Sequence, residues 1–271
     1  MKKGNDIKEI ELKIIKDYKN GIRTSVLAKK YGYKTKKSIT DKLKKYNIHI
    51  RNKEEQLELE CKKKYRSFKI EVINNKFKAY LLGIIASDGY IYEKRGTISI
   101  SMTDYDVIKY LSDYLEKDYV IVNKEGNRKV QYRITFNNKD LVLDLKNRGL
   151  FQNKSRTIKE VIFYEDEICW LPYFIRGQID GDGWIRKDGK EFFICTASQE
   201  YAKFLLNCCY KIGMKNLKII KQKQKFKDSR KIQMFYIRSA LKYNINILKE
   251  KCYKDDIGMK IKYYKINNIK L

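Results

Sequence analysis

The stretch LLGIIASDG at residues 81–89 returns in variant form as IRGQIDGDG at residues 175–183. Each copy is a short, mainly apolar segment that ends in Asp-Gly. Asn75 ahead of the first copy, and Pro172, the chain's only proline, at the start of the second are typical helix-start residues. Glycine after each aspartate predicts a left-handed helix end. We therefore expect two helices with an aspartate at the C-terminus of each.

The residues after each motif repeat in the same order. An alternating strand follows, TISISM at 97–102 and EFFICTA at 191–197, and then a helical run. Two more strands come next in each copy, with a turn at 125–127 in the first and a longer basic loop in the second. Thr103 and Ser198 are expected to cap the intervening helices. Each half is thus predicted as helix, two strands, helix, two strands, helix.

Small residues on the two motif helices predict that these helices pack closely, Gly83 and Ala86 on one and Gly177 and Gly181 on the other. A pseudo-twofold axis between the halves would bring both aspartates to the same end of this interface. An aspartate is disfavoured at a helix C-terminus by roughly 0.3 to 1 kcal/mol, and two close carboxylates repel each other. A divalent cation offsets both effects, and Mg²⁺ suits a site of one or two carboxylates.

The composition favours a polyanionic partner. The 271 residues carry 61 Lys and Arg against 33 Asp and Glu, a formal charge of +28, so nucleic acid is the expected ligand. The single histidine, His49, excludes Ser-His-Asp hydrolysis and metal sites that need two imidazoles. No signal peptide or membrane-spanning stretch is recognisable, so we expect an intracellular protein of the cytoplasm or nucleoid with no membrane partner.

Residues 1–53 are expected to form a small all-α helix-turn-helix head. Apolar spacing predicts three short helices, the second capped by Thr24 and the third by Thr35. The third helix would present Lys36, Lys37, Thr40 and Lys44 to a DNA groove and its phosphates. A charged connector is predicted at 54–74, the first repeat at 75–160 and the second at 161–271.

The paired motifs, each ahead of the same strand and helix order, resemble the signature of the LAGLIDADG homing endonucleases in their single-chain, two-repeat form. The resemblance implies an α+β fold in which two pseudo-twofold-related αββαββα halves form a saddle over DNA. It also implies that Asp88 and Asp182 bind the metal, with two or three Mg²⁺ ions shared between them. The first copy departs from the signature at Ala86, where the second has Asp180; we assign that position to the helix interface.

Two lysines are further candidates for the active centre, because the family that the chain resembles often has basic residues there. Lys154 in the NKS run and Lys262 in GMKIKYYK would stabilise charge at a scissile phosphate or order its water.

The strands are expected to contact DNA through one face. In the fourth strand Val130, Tyr132, Ile134 and Phe136 would pack inside, and the alternate residues would face outward. Polar side chains on such faces reach phosphates and base edges. The predicted DNA contacts from the two repeats are Ser99, Ser101, Gln131, Arg133, Thr135, Arg186, Lys221 and Lys223.

The function predicted from these features is sequence-specific, Mg²⁺-dependent hydrolysis of both strands of a long duplex DNA target. A monomer suffices, because both repeats lie in one chain. The alternative is a non-cleaving binder on the same scaffold, either a transcription regulator or a maturase that holds structured intron RNA. Retention of both aspartates argues against the regulator, because two acids facing phosphates weaken binding.

The charge argument predicts a steep salt dependence of binding. The logarithm of the association constant for duplex DNA should fall with log salt by about 0.9 for each phosphate neutralised. Fluorescence anisotropy with a labelled duplex, titrated across about 50 to 200 mM KCl, measures this slope. An affinity that stays constant across the series would contradict the prediction.

Overall fold

The computed structural model describes residues 2–56, 59, 68–122, 129–225 and 231–268. The turn predicted at 125–127 and residues 226–230 of the basic loop lie outside them. The chain divides into two compact units, Met1–Ser67 and Phe68–Leu271. Among the described residues, no helix combines the length and apolarity needed to cross a membrane.

Three helices among the described residues of the first unit enclose a small core. They are α1 (Lys2–Lys19), α2 (Thr24–Lys30) and α3 (Lys36–Lys45). Ile14, Leu27, Ile39 and Leu43 are fully buried between them. The three predicted helices are present, but Thr24 is the first residue of α2 and Arg23 occupies the cap position. Thr35 precedes α3 as predicted, without a capping hydrogen bond from its side chain.

The second unit contains seven further helices and eight strands among its described residues. The helices are α4 (Lys76–Asp88), α5 (Tyr105–Leu115), α6 (Lys139–Asn147), α7 (Leu171–Asp182), α8 (Gln199–Lys211), α9 (Lys242–Ile247) and α10 (Lys260–Asn267). The strands are β1 (Gly89–Tyr92), β2 (Thr97–Met102), β3 (Tyr119–Val122), β4 (Gln131–Asn137), β5 (Gly183–Ile185), β6 (Phe192–Thr196), β7 (Lys218–Lys225) and β8 (Lys231–Ser239).

The two repeats have the same topology. Strands β1 to β4 form one antiparallel sheet in the order β1-β2-β4-β3, and β5 to β8 form another in the order β5-β6-β8-β7. Gly89 pairs with Ile100 in the first sheet, and Gly183 pairs with Ile194 in the second. Helices α4 and α7 each run directly into the first strand of their sheet. The predicted α+β fold of two αββαββα halves is confirmed.

The start of each motif helix follows the predicted chemistry. The Asn75 side chain accepts a hydrogen bond from the Lys78 amide at 3.0 Å, and Pro172 lies in the first turn of α7. Helix α4 is buried along almost its whole length, from Phe77 to Ala86. A helix that is apolar on all sides needs neighbours on all sides, so α4 belongs to the centre of the fold.

The predicted left-handed conformation of Gly89 and Gly183 is wrong. Their φ angles are −70° and −106°, and the chain leaves each helix directly into an extended strand. Glycine is required at both positions because no side chain would fit. A Cβ on Gly89 would lie 2.6 Å from the Ile85 Cα, and one on Gly183 would lie 2.6 Å from the Ile179 Cα. The motif glycines therefore permit a tight turn back over the preceding helical turn.

Helices α4 and α7 approach each other through glycine, as the small residues predicted. A Cβ on Gly177 would lie 2.5 Å from the Tyr80 carbonyl oxygen and 2.9 Å from the Gly83 Cα. A Cβ on Gly83 would lie 2.9 Å from the Gly177 Cα. The backbones of the two helices are in direct contact at this crossing. A larger residue could not be accommodated there by movement of a neighbouring side chain.

Two local predictions need correction. Asp104, not Thr103, caps α5, because the Asp104 carboxylate accepts the Val107 amide at 3.2 Å. Ser198 caps α8 as predicted. Val130 lies before β4 and is exposed, so it is not packed with Ile134 and Phe136, which are buried.

A buried ion pair near the junction of the repeats was not predicted. Arg148 and Glu167 lie 2.6 Å apart and are almost fully buried. The Arg148 guanidinium also donates to the Ile70 carbonyl at 2.6 Å, and Glu167 accepts the Ile73 amide at 2.6 Å. The described end of the predicted connector thus packs into the second unit, where Ile70 and Ile73 are buried.

Substitution of Gly177 by alanine should lower the free energy of unfolding by about 3 kcal/mol, the upper end for overpacking, because the added methyl group meets backbone on both sides. Urea denaturation followed by circular dichroism measures the change. Leu143→Ala, at an exposed helix position, is the control and should stay within about 0.5 kcal/mol of wild type. A Gly177→Ala variant as stable as the control would contradict the backbone contact.

Candidate metal and nucleic-acid site

The packing of α4 against α7 brings Asp88 and Asp182 together at the C-terminal ends of both helices. Gly181, next to Asp182, lies so close to Asp88 that a Cβ there would overlap the Asp88 carboxylate. The negative charge of Asp88 also helps to raise the pKa of Asp182, as expected for neighbouring carboxylates. The predicted convergence of the two aspartates is therefore present.

Both carboxylates lie where ionisation is disfavoured. Burial raises the pKa of Asp88. Its Oδ2 atom is buried and accepts no hydrogen bond from any described residue. The Asp182 side chain is exposed on one side, but the protein around its inner side, together with the Asp88 charge, raises its pKa to about 7. A buried oxygen without a partner, next to a second carboxylate, has the character of a cation ligand.

The two predicted lysines lie beside the aspartates at equivalent places. Lys154 donates to the carbonyl of Gly89, and Lys262 donates to the carbonyl of Gly183 at 2.8 Å. Lys154 is 5% exposed and Lys262 is 9% exposed. Burial lowers the pKa of both, and the nearby carboxylates oppose this shift. Each lysine thus anchors the residue that follows one motif aspartate.

The hydrogen bonds of the two lysines differ in number. Lys262 also donates to the carbonyls of Ile179 and Asp180, at 2.5 and 3.1 Å, so its three N–H groups are all engaged at the end of α7. The positive charge there complements the negative helix C-terminus. Lys154 has one hydrogen bond to the described residues, which leaves two N–H groups for another ligand.

Asp180 belongs to the buried interface. Its carboxylate accepts hydrogen bonds from the hydroxyl groups of Tyr80 at 2.9 Å and Tyr253 at 2.7 Å and from the Met259 amide at 3.1 Å. Arg176 lies 3.7 Å away and is also fully buried. With these partners Asp180 ties the first motif helix to the segment at 253–259. The first repeat has Ala86 at the equivalent position. Only the second motif helix therefore contributes a carboxylate to this network.

The donor set suits a hard cation. Two carboxylates converge, and the described residues contain no cluster of three or more His, Cys, Asp or Glu side chains that would form a closed metal cage. Mg²⁺ is commonly held by one or two carboxylates and completes its shell with water and substrate phosphate oxygens. Asp88 and Asp182 fit such an open site.

The open face of the first sheet carries hydroxyl and guanidinium groups. Ser99 and Thr135 hydrogen bond across β2 and β4 at 3.0 Å, and the Arg133 Nε donates to Ser101 at 2.7 Å. Gln131 begins β4 on the same face. All five predicted contacts of the first repeat therefore lie together on one face of this sheet.

The second repeat differs from the prediction. Lys221 pairs with Phe235, which is buried, so Lys221 and Lys223 lie on the face that carries the core residues, although both lysines are exposed. Arg186 is half-buried and forms an ion pair with Asp188 at 2.7 Å. The open face instead carries aromatic residues, which the sequence reasoning missed.

In the first unit Lys36, Lys37 and Lys44 are exposed on α3. Thr40 is half-buried, and its hydroxyl donates to the Lys36 carbonyl at 3.0 Å. Their role in DNA binding stays a prediction.

Comparison with known proteins identifies the first repeat directly, because residues 76–148 match the LAGLIDADG-like domain. No curated protein matches the sequence. Among solved structures, the homing endonuclease I-WcaI bound to its DNA recognition sequence is similar with a TM-score of 0.50 and 14% identity. That match covers 82% of this chain and 97% of that one.

Two other structures are also similar. Full-length DUF199/WhiA from Thermatoga maritima matches with a TM-score of 0.46 and 15% identity, over 78% of this chain and 66% of that one. I-DmoI in complex with DNA and Mn matches with a TM-score of 0.41 and 16% identity, over 65% of this chain and 96% of that one. The chain thus spans just under two thirds of the length of full-length DUF199/WhiA. On the family match and the shared topology, this chain contains a LAGLIDADG-like domain and has the LAGLIDADG homing endonuclease fold.

Proposed function

We propose that the protein is a sequence-specific DNA endonuclease of the homing type that needs a divalent cation, normally Mg²⁺. The observation that carries the proposal is the meeting of Asp88 and Asp182 at one end of the α4–α7 interface, where the Asp88 Oδ2 is buried without a hydrogen-bond partner among the described residues. A binder of nucleic acid gains nothing from two carboxylates at this place.

The cost of these carboxylates supports a catalytic role. Each lies at a helix C-terminus with a like charge nearby, and Asp88 together with the inner side of Asp182 is shielded from water. All three effects disfavour the ionised form. The protein provides Lys154 and Lys262 in compensation, but both lysines bind main-chain carbonyls. The Asp88 Oδ2 therefore stays available for a cation.

In the proposed mechanism, Asp88 and Asp182 would hold the divalent cation. Mg²⁺ bound there would supply Lewis-acid chemistry for hydrolysis of the phosphodiester by water. Lys154 contributes its two remaining N–H groups to the charge at the scissile phosphate. Lys262, whose donors are all engaged, fixes the main chain around Asp182 and acts as a positioning residue.

Duplex DNA is the proposed substrate because both the positive charge of the protein and its fold favour it. The formal charge of +28 favours a polyanion, and the open face of the first sheet offers hydroxyl and guanidinium groups to base edges. The homing endonuclease I-WcaI, whose fold this chain shares, is bound to its DNA recognition sequence. We further propose that the chain acts as a monomer, since one chain supplies both aspartates, and that the first unit extends the contact with DNA as a helix-turn-helix head.

Replacing Asp88 or Asp182 by asparagine should reduce the rate of duplex cleavage in Mg²⁺ by at least about 10²-fold. The reason is the loss of one ionised oxygen ligand at a site that has only two carboxylates. Cleavage is measured on sequences selected from a randomised duplex library, and affinity is measured in Ca²⁺. Binding should remain within a few-fold of wild type.

The matched control for this experiment is Asp113→Asn, which changes an exposed carboxylate paired with Lys109 on α5. Its cleavage rate should equal that of wild type. Rapid cleavage by both active-centre variants would overturn the assignment. Binding of structured RNA or of DNA without any cleavage by the wild type would indicate a maturase or a regulator instead.

Asp182→Asn should raise the Tm of the protein at about pH 8 in EDTA and change it little near pH 4. The folded-state pKa of Asp182 is about 7, above about 3.9 for an unfolded aspartate. The folded state therefore holds the proton more tightly, and stability falls as the pH rises from about 4 to 7. The asparagine variant does not titrate at this position.

Mg²⁺ should raise the Tm of the wild type at about pH 8 more than that of Asp182→Asn, because a ligand that binds only the folded state stabilises it. Differential scanning calorimetry in EDTA and in Mg²⁺ measures both effects, again with Asp113→Asn as the control. An equal Mg²⁺ response in all three proteins would contradict metal binding by Asp182.

A further inference from the structure

The open faces of the two sheets have different chemistry at equivalent positions. In the first sheet Tyr90 pairs with Ser99, and in the second Trp184 pairs with Phe193. Two residues further along, Ser101 pairs with Arg133, whereas Cys195 pairs with Tyr236. The second sheet thus has Phe193, Cys195 and Tyr236 where the first has Ser99, Ser101 and Arg133.

The aromatic residues of the second sheet form one continuous patch. The rings of Trp184 and Phe193 stack at 5.5 Å with an angle of 20°, and Tyr236 meets Phe193 edge to face at 5.4 Å. Trp184 is 40% exposed. The buried residues of the same strands, such as Phe192 and Ile194, point to the other face. These aromatic side chains are therefore additional to the core.

The patch adjoins the candidate metal site. The Cys195 thiol, on the same face, donates to the Asp182 carbonyl at 3.0 Å. On the outer strand Gln222 and Gln224 are exposed on this face, since Gln222 pairs with Met234 and Gln224 with Ile232. Lys218 and Arg238 pair with each other at one end of the patch and are both exposed. A ligand of the active centre therefore meets apolar rings, amide groups and flanking positive charge.

We propose that this open face, formed by Trp184, Phe193, Tyr236, Met234, Gln222 and Gln224, reads A·T pairs in one half of the duplex target. The proposal rests on the proposed function, namely duplex DNA as the substrate. Apolar side chains contact the thymine C5-methyl group, and glutamine forms two hydrogen bonds with adenine in the major groove. Lys218, at one end of the patch, supplies positive charge for a backbone phosphate, and Arg238 beside it is ion-paired with Glu191.

Contact with methyl groups fits the geometry better than stacking on splayed bases. Trp184 and Phe193 already cover each other's ring faces, so a base would have to separate them in order to stack. A methyl group at the groove surface needs only the exposed ring edges. The open face of the first sheet also carries apolar groups, Tyr90, Tyr92 and Val120, but Val120 pairs with Arg133 and hydroxyl groups lie between the strands. The loss of affinity on removal of thymine methyl groups should therefore be larger in the half-site that faces the second sheet.

The test begins with selection of duplexes bound in Ca²⁺ from a randomised library by the wild type. One half of the selected sequence should be rich in A·T pairs. Duplexes are then made with deoxyuridine in place of thymidine in that half, in the other half, or in both, which removes only the methyl groups. Affinity should fall about fourfold for each contacted methyl group in the A·T-rich half. It should fall less when the other half is substituted.

Phe193→Ser, which installs the residue of the first sheet, should abolish the effect of deoxyuridine, and Trp184→Ser should reduce it. Asp113→Asn, at an exposed position of α5, is the control and should keep the full effect. Because the two replaced side chains are exposed or half-buried, a matching Tm verifies that each variant folds.

Several results would overturn the proposal. These are a selected site without A·T enrichment, an unchanged affinity for deoxyuridine duplexes, or the same deoxyuridine effect in Phe193→Ser as in wild type. If the wild type cuts such duplexes in Mg²⁺, only this inference fails and the proposed function stands. If the wild type binds no duplex, or prefers single strands or structured RNA, the proposed function fails together with it.

Discussion

The contact between the backbones of α4 and α7 is the constraint on which the rest of the structure depends. Gly83 and Gly177 let the helices touch without intervening side chains, and Gly181 leaves room for the Asp88 carboxylate. Because both helices end at this interface, their terminal aspartates meet there without any further element to position them. The same contact fixes the two sheets, since β1 and β5 start at the residues immediately after the aspartates. One packing contact thus brings the two aspartates together and orients the two sheets around them.

Much of this arrangement could be predicted because it is encoded locally. The paired Asp-Gly motifs, the small residues and the strand alternation specified the two αββαββα halves and the convergence of Asp88 and Asp182. The conformation of Gly89 and Gly183 could not be predicted in the same way. Glycine is favoured both where φ is positive and where another part of the backbone comes very close. The sequence cannot tell these two reasons apart, because only the position of the following strand decides between them. The family resemblance pointed to Lys154 and Lys262, but their carbonyl partners depend on tertiary packing.

The faces on which Lys221 and Lys223 lie could not be predicted for a different reason. Lys221 and Lys223 are residue types that commonly contact DNA. In a lysine-rich chain, however, the residue type alone does not show which face of the sheet a lysine occupies. A strand's face follows from the register with its neighbours, and the pairing of Lys221 with the buried Phe235 places it with the core residues. In EFFICTA two adjacent phenylalanines point in opposite directions, so the apolar run did not reveal that Phe193 is a half-buried residue of the open face. Periodicity becomes ambiguous where the open face is itself apolar.

The duplication has preserved the charged centre and let its surroundings diverge. Lys154 and Lys262 bind equivalent carbonyls, yet Lys262 has all three donors engaged and Lys154 has one. Asp180 forms a buried network with Tyr80, Tyr253 and Arg176, and Ala86 forms none. The open sheet faces differ in the same sense, because Ser99, Ser101 and Arg133 on the first correspond to Phe193, Cys195 and Tyr236 on the second. Under the proposed function, the two halves of the DNA target would meet different side chains. Fusion of both repeats in one chain allows this asymmetry, since each half can change without imposing the same change on its copy.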